Sequence, residues 1–316
     1  MINNRRAFIV GLKGATLSKK EIFFLKHYKP WGVILFSRNI KSIQQVQLLV
    51  SNIHSLFKDI NFPILIDQEG GEVCRLDNIL TARPFSASFY GSIYEKDKKN
   101  LNLYINIYVD QISSLMRTLG INMNNFPVLD LKRNSSHSII KKRAFSKKPK
   151  VVKCIGNLFI KKYQENKISC VIKHIPGHGL AKKDSHVSTP VVKKNLNYLM
   201  KNDFYPFKKH NALFAMTAHI IYESIDKHYT ATHSKKIINI IRNKIKFKNI
   251  IMSDDISMKS LKFSLKENTL KSFNAGCNIV LHCNGKLSEM LVVAKNSPKL
   301  DSFLMKKTSE FYKLIS

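Results

Sequence analysis

Residues 173–190, KHIPGHGLAKKDSHVSTP, concentrate three histidines, two glycines, two prolines and Asp184. Imidazole has an unperturbed pKa near neutrality, so it can both give and take a proton. Asp184 stands two residues before His186, where its carboxylate can hydrogen-bond the ring and set its tautomer. A metal site built from His174, His178 and His186 is the alternative, although no H-E-x-x-H or comparable helical ligand spacing accompanies it. A second cluster is IIMSDDISM, residues 250–258, with Asp254 and Asp255 paired behind an apolar run. One carboxylate there can attack a sugar carbon and form a glycosyl-enzyme intermediate. Capping of the following helix is the structural alternative, and the pair allows both, one carboxylate for chemistry and its neighbour for the turn. A third is DQEGGEVCR, in which Asp67 and Arg75 flank two adjacent glycines. Asp67 is suited to accept hydrogen bonds from sugar hydroxyls or to pair with Arg75.

These clusters need elements that bring them together. Apolar, β-branched runs begin at Ala7, Trp31, Phe62, Ile121, Ser169, Ala212, Asn249 and Cys277. Near-continuous apolar runs of this length suit parallel strands buried on both faces. Between them, residues 43–57, 101–119, 151–163 and 235–245 carry apolar side chains near the helical period, and residues 300–316 read as a terminal helix. Repeated strand–helix order predicts an α/β protein, a single (β/α)8 TIM-type barrel spanning residues 1–316, with a doubly wound open sheet as the competitor. Residues 131–150, polar and basic without clear periodicity, read as a long loop. In the barrel, Arg38, Asp67, Asp130, Lys173 with His174, His219, and Asp254 with Asp255 all follow or close strands and meet at one face.

Composition sets bounds. Lys plus Arg number 53 against 21 Asp plus Glu, a formal +32. A nucleic-acid or membrane footprint would gather these charges on one segment or face. Here pairs such as Lys19-Lys20, Lys98-Lys99 and Lys193-Lys194 are dispersed along a chain rich in Lys, Asn and Ile, which reads as compositional drift. The cysteines, 74, 154, 170, 277 and 283, are odd in number and form no C-x-x-C, which argues against a disulfide framework or zinc ribbon. The apolar run near the N-terminus is short and interrupted by Lys13, so a cytoplasmic location is expected. Phosphate-loop, serine-hydrolase and dinucleotide-binding signatures are missing.

The ordered set GVILFSRNI, IDQEGGEVCRL, KHIPGHG with DSH, MTAHIIYESID, SDDISM and AGCNIVLHCN resembles family 3 glycoside hydrolases over residues 32–284. The branch it is most similar to is the bacterial NagZ-type β-N-acetylglucosaminidases of peptidoglycan recycling. That resemblance implies a retaining enzyme that removes terminal β-linked N-acetylglucosamine from anhydromuramyl peptide fragments. It implies Asp254 as nucleophile, His186 as general acid/base with Asp184 as its partner, and no metal or organic cofactor. Asp67, Arg75, Lys173 and His174 are implied as substrate contacts, and Arg143 of KKRAF through a looser match. The implied partner is a small saccharide, with neither nucleic acid nor membrane, on a monomeric protein. Glu72 departs from the family's usual Arg, which puts the local salt-bridge network in question. A β-glucosidase or a phosphorylase using the same covalent intermediate, and a non-catalytic binder of anionic polymers, are the competing functions.

Overall fold

The computed structural model describes residues 4–133, 142–181 and 188–316. Eight strands close a parallel barrel: β1 (Arg6–Gly11), β2 (Pro30–Leu35), β3 (Ile64–Ile66), β4 (Met123–Asn124), β5 (Ser169–Ile175), β6 (Phe214–Thr217), β7 (Ile250–Asp255) and β8 (Ile279–His282). Closure is explicit, because β8 pairs with β1 in the register Phe8–Val280, Ile9–Leu281 and Val10–His282. That pairing removes the open-sheet alternative: a closed sheet has no edge strand.

The strands alternate their side chains between two cores. Phe8 and Val10 of β1 pack outward beneath the helices. Ala7 and Ile9 point inward, with Leu65, Met123, Val171, Met216 and Met252. The helices of the outer layer are α1 (Lys19–Tyr28), α2 (Ile43–Phe57), α3 (Ala87–Lys96), α4 (Leu101–Thr118), α5 (Pro149–Glu165), α6 (Leu196–Lys201), α7 (Lys235–Asn243), α8 (Leu265–Ala275), α9 (Leu287–Asn296) and α10 (Ser302–Ile315). Local chemistry fixes their starts. Ser18 with Glu21, and Ser264 with Glu267, form reciprocal capping boxes. Helix α5 begins at Pro149, where a missing amide hydrogen costs nothing. It therefore takes the end of the 131–150 stretch out of the loop expected from composition.

Helix α10 stops one end of the barrel. Trp31 and Phe214, near the starts of β2 and β6, pack on Phe311 at ring separations of 5.8 and 5.9 Å. The Trp31 indole donates to Thr308 Oγ1 at 2.9 Å. With that mouth filled by aromatic side chains, the C-terminal ends of the strands form the face available to a ligand. No helix among the described residues is long and apolar enough to cross a membrane.

Candidate active site

Each strand-end residue that sequence order separated is placed on this face. Asp254, on β7, is half-buried, and its Oδ1 accepts the amide of Asp255 at 2.7 Å. Burial pushes its pKa up. The facing His219 and His174, the Asp255 amide and Lys173 outweigh that push and hold the carboxylate below its ordinary value. Asp254 is therefore an ionised carboxylate at neutral pH. Asp255 is engaged differently: its Oδ1 accepts from the amide of Ser257 at 3.0 Å, from the Ser257 hydroxyl at 2.8 Å and from the amide of Cys283 at 3.3 Å. The neighbour thus holds the turn and ties β7 to the end of β8.

His219 follows β6. Its Nδ1 is 2.7 Å from Thr232 Oγ1, and its Nε2 is 3.0 Å from the carbonyl of Asp255. Burial lowers its pKa, with Asp254 pulling the other way. A neutral ring donating from Nε2 to that carbonyl must accept the Thr232 hydroxyl at Nδ1, which defines the tautomer.

On β5, the ammonium of Lys173 lies 2.9 Å from Asp67 Oδ1 and 2.6 Å from Glu69 Oε1. Arg143 clasps Glu69 through two bonds of 2.7 Å, from Nε to Oε2 and from NH2 to Oε1. Burial alone would raise Glu69, yet the two cations bring it down to about 2. Lys173 is raised in turn: the two carboxylates outweigh its burial. Glu69 is presented by a short antiparallel ribbon, Gln68–Gly70 with Val73–Cys74, whose turn places Gly70 and Gly71 at positive φ. Two bonds tie the ribbon to β4: Asn124 Oδ1 accepts the Gln68 amide at 3.0 Å, and Asn124 Nδ2 donates to the Gln68 carbonyl at 2.9 Å.

The peptide between Lys173 and His174 is cis. His174 Nδ1 lies 2.7 Å from Asp130 Oδ2, so Nε2 is the nitrogen left for a ligand. The other oxygen of Asp130 accepts the amide of His178 at 2.6 Å. Burial raises Asp130, but the two histidines hold it below its usual value. Arg75 approaches Asp67 only to 3.9 Å and lies half-buried over the Phe36 ring, with Arg38 on the same ring.

The structure thus gathers Asp67, Arg75, Arg143, Lys173, His174 and Asp254 at one barrel face, while Asp184 and His186 lie outside the described residues. The main ionic partner of Asp67 is Lys173, not Arg75, and Arg143 meets the site through Glu69. The network questioned at Glu72 is intact because position 69 anchors it; Glu72 pairs at 3.0 Å with exposed Lys142. Sequence reasoning passed over Glu69 and Thr232. Glu69 had a signal, a third acid within DQEGGE, whereas Thr232 had none. Among the described residues no three His, Cys, Asp or Glu side chains are grouped to hold a metal.

A half-buried carboxylate kept ionised beside two imidazoles and an ammonium, at the C-terminal ends of the strands, suits attack on or stabilisation of a cationic sugar centre. The comparisons agree with that chemistry. Residues 10–306 match the N-terminal domain of glycosyl hydrolase family 3, and the chain belongs to this family of glycoside hydrolases. It is 32% identical over 282 residues to a β-hexosaminidase of Nitrosomonas eutropha, covering 87% of this chain and 80% of that protein. NagZ from Neisseria gonorrhoeae, solved in complex with N-trifluoroacetyl-D-glucosamine, superposes with a TM-score of 0.81 at 25% identity over 99% of both chains. A family 3 β-N-acetylglucosaminidase from Paenibacillus shares the fold at a TM-score of 0.86 and 22% identity, where this chain covers 60% of that longer one.

Proposed function

We propose that the protein is a retaining exo-β-N-acetylglucosaminidase acting on terminal β-linked N-acetylglucosamine of peptidoglycan fragments, the N-acetylglucosaminyl-anhydromuramyl peptides, in cell-wall recycling. The observation that carries the reading is Asp254, an ionised, half-buried carboxylate on β7 among His174, His219 and Lys173. In this reading Asp254 attacks the anomeric carbon while His186, oriented by Asp184, protonates the leaving oxygen. Water activated by His186 then hydrolyses the glycosyl-enzyme. The roles of His186 and Asp184 rest on the DSH motif.

Asp67, Lys173 and His174 take the sugar hydroxyls, and Arg75 adds a rim contact. Arg143 acts on substrate through the orientation of Glu69 and Lys173. The reaction needs no metal or organic cofactor. The whole chain acts as one catalytic unit, monomeric and cytoplasmic, on a small saccharide, with no nucleic acid or membrane partner. The names of the relatives support the class of substrate: one is a β-hexosaminidase, and another is NagZ, solved with an N-acylated glucosamine.

The test is release of 4-nitrophenol from its β-N-acetylglucosaminide by the wild type and by Asp254→Asn. Turnover lost in the variant with its circular dichroism unchanged supports nucleophile and substrate together. Equal turnover in both removes Asp254 from the chemistry.

A further inference from the structure

Beneath the KHIPGHG segment lies a buried ion pair that the site chemistry does not use. Arg133, three residues beyond Asp130, donates from NH2 to Asp203 Oδ2 at 2.8 Å. The Asp203 side chain is 1% exposed and that of Arg133 is 19% exposed. Asp203 is packed against both glycines of the segment. A Cβ on Gly177 would stand 2.6 Å from the Asp203 carbonyl oxygen, and one on Gly179 would stand 3.1 Å from Asp203 Oδ1. Gly177 also has φ +142, an angle that side-chain-bearing residues rarely adopt. Its carbonyl accepts the Tyr222 hydroxyl at 2.5 Å. Between the two glycines sits His178, whose amide is held by Asp130, the same carboxylate that orients His174.

We propose that Asp203, paired with Arg133, is a positioning residue for the hydrolase reaction: it seats the Gly177–Gly179 backbone so that the His178 amide and the His174 ring share Asp130. A carboxylate this buried is costly unless it is paired, and among the described residues its ion-pair partner is the Arg133 guanidinium. Among the described residues its second oxygen, Oδ1, accepts no hydrogen bond, and Arg133 Nε donates none. The pair is therefore a single-bond contact whose strength depends on the charge of Asp203. The groups facing that carboxyl are Arg133 and Asp130, from the segment after β4, and Tyr222. Burial, opposed by Arg133 and reinforced by Asp130, pushes Asp203 up to about 6. Its ion pair with Arg133 is complete at neutral pH and lost in mild acid.

Asn at position 203 has the shape of the protonated acid, which makes the test selective. The inference uses the proposed substrate only as a probe. Hydrolysis of 4-nitrophenyl β-N-acetylglucosaminide is measured from about pH 5 to about pH 8 for wild type, Asp203→Asn and Arg133→Gln. Asp203→Asn is expected to lower kcat/KM by about tenfold near pH 7.5, and the gap to close near pH 5, where the wild-type acid is itself protonated. Arg133→Gln gives the same loss near pH 7.5 and is the deciding variant if Asp203→Asn does not fold. A ratio of one throughout, or a deficit equal at both pH extremes, overturns the proposal, since a packing role carries no pH dependence.

The His178 imidazole resonances, followed by NMR over the same range, give a readout that needs no substrate. They carry an inflection near 6 in the wild type that Asp203→Asn removes. A wild type inactive on the probe that keeps this inflection rejects the substrate assignment and leaves the positioning role standing. Loss of the inflection from the wild type rejects the role.

Discussion

The amide of Asp255 donates to the carboxylate of Asp254 at 2.7 Å, so two adjacent acids that look alike in sequence have opposite duties. Asp254 Oδ1 takes that amide, and its carboxylate faces His219, His174 and Lys173. Asp255 has its own oxygen committed to Ser257 and Cys283.

Substitution separates the two. Asp255→Ala removes a charged acceptor of three bonds and is expected to cost about 2–3 kcal/mol of stability. Turnover is lowered but present. Asp254→Asn is expected to leave the melting temperature within a few degrees of wild type while turnover disappears. Thermal melts beside initial rates for both variants check the division.

In the Lys173–Glu69–Arg143 cluster Lys173 and Glu69 are buried, so removing one partner leaves uncompensated charge. Lys173→Met is expected to destabilise by about 3–5 kcal/mol, far beyond the effect of breaking an exposed pair such as Glu72–Lys142. Urea unfolding of Lys173→Met and Lys142→Met measures the contrast. A loss under about 1 kcal/mol at Lys173 would contradict the burial argument.

Thr232 has no chemistry of its own, yet its hydroxyl lies 2.7 Å from His219 Nδ1 and 2.8 Å from Thr217 Oγ1. Thr232→Val keeps the shape and takes from His219 Nδ1 its hydroxyl partner, at about 1–3 kcal/mol. Freed of its orienting bond, His219 is expected to lower kcat by roughly tenfold, and Thr232→Ser to restore it. Steady-state kinetics on the three proteins decide this.

Acid sensitivity follows from the signs of the buried groups. Glu69 falls from 4.5 to about 2 on folding, so its contribution, about 3 kcal/mol, is complete above 4.5 and is lost as pH drops through 2. His178 and His210, both brought to about 4, and His233, brought to about 3, are depressed by burial. Their contribution is complete above 6.5 and is lost as pH falls through those values. Asp203 opposes this trend between 3.8 and about 6, because its acid form is the one favoured in the fold. Protonating carboxylates on a chain of formal charge +32 adds self-repulsion. Scanning calorimetry is expected to show a level midpoint above about pH 6.5 and a steep decline below it.

All eight strands and the helix at Ile43–Phe57 were legible in the sequence, since a strand buried on both faces must be apolar throughout and a covering helix must be apolar on one side. The order of those elements then predicted the barrel, and the polar residues ending each strand predicted the face where Asp67, Asp130, Lys173, His174, His219 and Asp254 meet. Tertiary structure alone decided which of them touch. That Lys173 reaches Asp67 and Glu69 across a ribbon, that Arg143 serves this pair, that Arg133 closes on Asp203 and that Thr232 steadies His219 are contacts between residues up to 106 positions apart. Hydrophobic periodicity is a property of neighbours along the chain and can be read there. A charge pair is set by strand register and barrel closure, which bring distant side chains within about 3 Å and exclude the water that would otherwise screen them.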